Sequence, residues 1–135
     1  MTRAHVEGVV ARHLPSIRSV LADERRKCGG AAVIEQADPA GARQCAKSLR
    51  LFSTSVQDLV SVLVGLRPPD DLTTLVADTI DAARPVAVVF RAYPIGDCLP
   101  SPSPETPSRA RCDTSGREFA MLIAQFEKVL EGWRP

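Results

Sequence analysis

The spacing of apolar residues along the chain predicts helices. The clearest stretch runs from Ala40 to Leu66, where apolar residues recur in alternating steps of four and three. A strand cannot produce this period, which places one face of a helix against a core. Asp38 and Pro39 come just before it, an N-cap acceptor followed by proline at the first helical position. We therefore predict a helix over residues 39–66. Its apolar positions are Cys45, Leu49, Phe52, Val56, Leu59, Leu63 and Leu66.

Three further stretches keep a helical period, at about residues 3–28, 69–93 and 115–133. The first ends at a Gly-Gly pair after a basic last turn, which suits the C-terminal end of a helix dipole. The third opens at Pro68-Pro69-Asp70-Asp71, and the fourth begins at Ser115, which lies three residues before Glu118, as in a capping box. Pro15 and Pro85 fall inside helices one and three, so we expect both helices to be kinked or broken there.

The connection between the last two helices is rich in proline, so we expect residues 94–112 to form a loop. Four amphipathic helices joined in this way predict an all-α fold, a four-helix up-down-up-down antiparallel bundle that forms a single domain over residues 1–135. If helix one is broken, the alternative is five shorter helices in a less regular array.

The four cysteines are the most informative residues because this topology places all of them at one end of the bundle. Cys28 ends helix one, Cys45 lies in the first turns of helix two, Cys98 follows helix three and Cys112 precedes helix four. We favour two disulfides with local pairing, Cys28–Cys45 and Cys98–Cys112, although four cysteines allow three pairings. A four-thiolate zinc site and free buried thiols are the alternatives. Disulfides would indicate an oxidising compartment.

Composition limits the classes of partner. The net charge of +1 gives no global field to attract nucleic acid or a membrane surface, and aromatic residues make up only 4% of the chain. No apolar run approaches the roughly 20 residues that a transmembrane helix needs. The first residues lack the apolar stretch of a secretory signal. We therefore expect either a cytosolic protein or the mature region of an exported one.

Basic side chains map towards the cysteine-bearing end and define a candidate surface for an anionic ligand or partner. Acidic residues, Glu24 among them, occur there as well, so a mixed, solvated surface is the alternative. The candidate residues are Arg25, Arg26, Lys27, Arg43, Lys47, Arg50, Arg109 and Arg111.

Candidates for catalysis are few. His5 and His13 are the only histidines, and they do not have a metal-ligand spacing; His13 falls on the apolar stripe of helix one. The sequence contains no GxSxG, Walker, GxGxxG, HExxH or CxxCH motif. An acidic face on helix three, around Asp70-Asp71, is typical of a solvated surface with a helix cap. We therefore predict no catalytic residue, no bound metal and no cofactor.

The segment Leu66-Arg-Pro-Pro-Asp-Asp-Leu72, set between two helices rich in Ala, Val and Leu, resembles segments in helical domains of exported or lipoprotein-type actinobacterial proteins. The scattered cysteines add to this resemblance. The expected disulfides, the bundle fold and the missing catalytic set predict a non-enzymatic extracellular or cell-envelope module, a monomer or homodimer, that binds a partner protein or a small ligand. A cytosolic regulator that responds to redox state or zinc through its cysteines is the alternative function.

Overall fold

The fold is known from a computed structural model that describes residues 1–28, 39–88 and 107–133, with side chains for 1–28, 44, 45, 47–88 and 117–133. These residues form four α-helices: α1 (Arg3–Cys28), α2 (Pro39–Val64), α3 (Thr73–Ala87) and α4 (Pro107–Leu130). A short 3-10 turn precedes α3 (Asp70–Leu72), and another follows α4 (Glu131–Trp133). The predicted all-α class is confirmed.

Each helix packs on the next one along the chain, and the 3-10 turn after α4 also packs on α1. Contacts between helix ends give the directions. Cys28 at the end of α1 is bonded to Cys45 near the start of α2. Arg3 at the start of α1 donates a hydrogen bond to Asp71, just before α3, over 2.6 Å. Gly132, just after α4, lies beside Leu75 in the first turn of α3, and Trp133 bonds to Thr79 further along α3, so α4 runs back towards that same end. The predicted up-down-up-down bundle is confirmed.

The core is one aliphatic cluster with an aromatic centre. Phe52 of α2 and Phe126 of α4 are fully buried, and their rings meet edge-on with centroids 6.5 Å apart. The remaining core side chains come from all four helices and from Leu72 and Trp133 in the two 3-10 turns. In the part of the chain that the structure describes, no helix is long and apolar enough to cross a membrane.

Both helices continue through their internal proline, so of the two outcomes expected at Pro15 and Pro85 the break is wrong, and so is the five-helix alternative, whereas the kink stays a prediction. Pro15 is exposed and lies on the solvent side of α1. The carbonyl four residues earlier, at the exposed Ala11, therefore loses its amide partner where water can replace it. Pro85 lies in the last turn of α3, which ends at Ala87, so little helix remains beyond it to disrupt.

Helix ends differ most from the sequence predictions where proline is involved. The predicted loop 94–112 is wrong for residues 107–112, because α4 begins at Pro107, eight residues before the predicted start at Ser115. Proline suits the first helical position, where its missing amide hydrogen has no partner to lose. The rest of that predicted loop lies outside the described residues.

Helices α2 and α3 are shorter than predicted. α2 ends at Val64, two residues early, and Gly65 follows it in a turn in which its amide donates to the carbonyl of Val62. The predicted third helix, 69–93, begins with a 3-10 turn, and its α-helical part spans Thr73–Ala87. Val88 follows in a turn, and residues 89–93 lie outside the described chain.

Candidate functional site

The end of the bundle where α1 meets α2 carries a disulfide between Cys28 and Cys45, and we call it the disulfide-bearing end. The two Cα atoms are 4.9 Å apart and 17 residues apart in sequence. Both residues are buried, at 3% and 0% exposure. This predicted pairing is confirmed, and for these two cysteines the free-thiol and zinc-thiolate alternatives are wrong, because a disulfide sulfur is not a thiolate.

The other two cysteines lie outside the description of side chains. Cys98 is not among the described residues, and the backbone of Cys112 belongs to α4, within its first two turns. The predicted Cys98–Cys112 bond therefore stays a prediction.

Next to the disulfide, the Asp23 carboxylate links α1 to α2. Its Oδ2 accepts a hydrogen bond from the hydroxyl of Ser48, which is buried, over 3.0 Å. Its Oδ1 pairs with Arg26 at 3.1 Å and lies 3.9 Å from the ammonium of Lys27. One acidic side chain thus satisfies a buried hydroxyl and faces two of the basic residues that end α1.

Glu24 is the unusual residue of this end. It is 2% exposed, and its Oε1 has no hydrogen-bond partner among the described residues. Burial raises the pKa of this carboxyl from 4.5 to about 7, Arg25 opposes the rise, and the charge of Glu127 adds to it. A buried carboxyl favours its neutral form, since a buried charge is costly unless it is paired.

One ion pair crosses from α1 to α4 at this level, between the guanidinium of Arg25 and the carboxylate of Glu127. Both side chains are partly exposed, at 56% and 33%. Pairs of this kind stabilise a fold by about 1 kcal/mol or less.

The predicted basic surface is only partly covered by the described side chains. Arg25, Arg26 and Lys27 face the acids Glu127 and Asp23, so their charge is partly offset within the fold. Two others on α2, Lys47 and Arg50, are exposed, and Arg50 has an interaction within the protein. The side chains of the remaining three lie outside the description; they are Arg43, Arg109 and Arg111.

The histidines are not brought together with other metal ligands. His5 is exposed near the start of α1, and His13 is half-buried in its middle. Among the described side chains, no three His, Cys, Asp or Glu residues form a group that could hold a metal ion.

Sequence reasoning missed Glu24, which it counted among the surface acids of this end. The signal was present in the spacing: Glu24 lies three residues after Leu21 and four before Cys28, both of which are buried. Residues so spaced lie on one face of a helix, so the stripe that buries Ile17 and Leu21 also buries this carboxyl. Predicting exposure from the charge of Glu24 alone therefore placed it wrongly on the surface.

No protein-family model matches the sequence, and no curated protein and no solved structure matches it.

Proposed function

We propose that the chain is a non-enzymatic helical module of the cell envelope or extracellular space that binds a partner protein or a small ligand. The observation that carries this proposal is the buried disulfide between Cys28 and Cys45. Disulfides persist in oxidising compartments and are uncommon in the cytosol. The resemblance of the Pro-Pro-Asp-Asp segment to exported helical domains agrees with this location.

Burial favours a structural role for the disulfide over a regulatory one. Cys28 and Cys45 are 3% and 0% exposed, so a reductant or an attacking thiolate has little access to either sulfur. Regulatory disulfides are instead exposed or strained, so that exchange is fast. A redox-responsive regulator, the alternative function, would need this bond to open in the folded protein.

Buried hydroxyls support a module whose interior is devoted to packing. Ser53 donates to the carbonyl of Ala87, Ser48 donates to Asp23, and Thr79 accepts from Trp133 and donates to the carbonyl of Leu75. These hydroxyls form hydrogen bonds between helices or within one helix, so their role is in packing. We therefore place binding at the surface or in clefts between helices, where bundles commonly hold ligands.

The first test is intact mass with thiol alkylation, with and without reductant, on the native and the denatured chain. We expect Cys28 and Cys45 to stay unalkylated in the native protein even in a glutathione buffer poised as in the cytosol. The same buffer applied in denaturant should allow their alkylation, which controls for the chemistry. Equilibrium reduction of the native protein in that buffer would contradict the proposal and favour the cytosolic redox regulator.

Binding is tested separately by photo-crosslinking of the exported chain in its host. A photoreactive residue replaces Lys47, which is exposed on α2 near the disulfide, or, as a matched control, Lys128, which is exposed on α4. We expect a discrete adduct from position 47 and none from position 128. Equal yields of folded protein with no adduct at either position would contradict a partner at this end.

A further inference from the structure

Glu24 combines three structural features that none of the other described residues shares. It is 2% exposed, its Oε1 has no hydrogen-bond partner in the part of the chain that the structure describes, and it lies one residue before Arg25, whose ion pair with Glu127 joins α1 to α4. Burial makes the ionised form of this carboxyl costly, so the stability of this end depends on whether Glu24 is protonated.

Charged groups around Glu24 come from two helices. Arg25, on its own helix, stabilises the ionised form, and Glu127 of α4 destabilises it. At the same level of α2 lie Cys45, whose sulfur is in the disulfide and does not titrate, and Ser48, whose hydroxyl donates to Asp23. Among the described residues, no charge of α3 contributes to the balance at Glu24.

The connections at this end are unequal in strength. α1 is covalently bonded to α2 through Cys28 and Cys45, and Ser48 adds a hydrogen bond to Asp23. The polar link described from α1 to α4 at this level is the partly exposed pair Arg25–Glu127. If water has to reach an ionised Glu24, we therefore expect α1 and α4 to separate before α1 and α2 do.

We propose that Glu24 makes the contact between α1 and α4 a pH-responsive device. With Glu24 neutral, the contact is closed. When Glu24 ionises, its carboxylate requires water and can draw Arg25 away from Glu127. The contact then opens while the disulfide holds α1 against α2. The proposal does not depend on the function proposed above.

Amide hydrogen exchange with residue resolution tests this device in the full chain. Protection along residues 119–130 of α4, corrected for intrinsic exchange, is compared at about pH 5.5 and about pH 8, on either side of the Glu24 pKa of about 7. We expect protection there to fall by about tenfold or more at the higher pH. Amides of α1 and α2 beside the disulfide should change less.

Glu24→Gln keeps the side-chain shape and removes the titration, so protection of α4 in this variant should not depend on pH. Glu131→Gln is the matched control, because Glu131 is exposed in the 3-10 turn after α4, and it should behave as the wild type. A wild type without the pH dependence, or a Glu24→Gln variant that keeps it, would overturn the proposal.

A second variant leaves Glu24 in place and covers the case in which Glu24→Gln does not fold. Glu127→Gln removes a negative charge that adds to the raised pKa of Glu24. It also frees Arg25 from its ion pair with Glu127, so that Arg25 can pair with Glu24. We therefore expect the midpoint of opening to move to lower pH. An unchanged midpoint, or one moved upwards, would show that Glu24 is not the titrating group.

Discussion

The two ends of the bundle are held together in different ways. At the disulfide-bearing end, a covalent bond joins α1 to α2, and one oxygen of the buried Glu24 carboxyl beside it has no hydrogen-bond partner among the residues described. At the opposite end, the described contacts are non-covalent. Arg3 bonds there to Asp71 and Glu7, and midway along α3 the indole of Trp133 donates to Thr79.

This difference suggests a division of roles between the ends. Among the described residues, the buried side-chain nitrogen and oxygen atoms outside the disulfide-bearing end are all paired, as expected of a region that only has to be stable. The disulfide-bearing end contains an unfavourable group next to a covalent constraint, and a cross-link can offset such a cost by restricting the unfolded chain. Unfavourable buried groups are more often found at functional sites than elsewhere, so the comparison points to this end.

The largest effect should come from removing the cross-link. Replacing both Cys28 and Cys45 by alanine should lower the free energy of unfolding by about 3 kcal/mol, because the bond closes a loop of moderate length in the unfolded chain. Urea denaturation followed by circular dichroism measures this loss. Ser48→Ala, which keeps the disulfide and removes the hydrogen bond to Asp23, should cost only about 1 kcal/mol. A loss in the double variant no larger than that of Ser48→Ala would mean that the disulfide does not hold this end.

The next effect concerns Glu24 and depends on pH. The unfolded chain releases this proton near pH 4.5 and the folded chain near pH 7. Between those values the folded state binds more protons, so its stability falls as pH rises and is flat above about 7. One pKa unit corresponds to about 1.4 kcal/mol, and relaxation reduces the total, so Glu24→Gln should gain about 2 kcal/mol at pH 8.

Below about pH 4.5 the Glu24→Gln variant and the wild type should be equally stable, because both side chains are neutral there. Denaturation at a series of pH values gives the difference directly. A variant that is less stable than the wild type at pH 8 would show that the ionised carboxyl is stabilised by a partner, against the burial described here.

Midway along α3, away from the disulfide, a smaller loss is expected from Thr79→Val. Thr79 is fully buried, and its Oγ1 accepts the indole N–H of Trp133 over 2.9 Å. Valine keeps the shape but leaves that buried donor without a partner, which should cost about 1 to 2 kcal/mol. Thr74→Val, an exposed site on the same helix, is the control and should change stability little. In the variant Trp133→Phe the same threonine change should cost less, since no donor is left unpaired.

The fold was predictable because its helices follow one strong rule. Apolar residues at steps of three and four set the buried face of α2, and every seam position predicted from Cys45 to Leu63 is buried. The first helix spans the predicted residues 3–28 despite Pro15. Periodicity indicates which face of the helix packs against the core. One proline on the outer face destabilises the helix by less than the burial of a whole apolar stripe stabilises it.

The candidate site was predictable only in part. Topology brings Cys28 and Cys45 to the same end, and this pairing was one of those expected. The burial of Glu24 was missed because charge was taken as a sign of exposure, although its spacing placed it on the stripe. The early start of α4 was missed because proline was taken as a loop residue, whereas Pro107 occupies the one helical position that suits it. In both errors, position in the helix outweighs residue type.

The smallest predicted effect is a gain in stability at the opposite end, where no cross-link is described. Gly8 lies inside α1, and a Cβ added there would meet no atom within 4 Å. Glycine inside a helix costs about 0.5 to 1 kcal/mol relative to alanine, so Gly8→Ala should raise the free energy of unfolding by about that amount. Because the first turns of α1 have no cross-link, the gain should appear as slower amide exchange there, with none at the disulfide-bearing end. Equal slowing at both ends would show that α1 opens as one unit, and that the two ends are less independent than their contacts indicate.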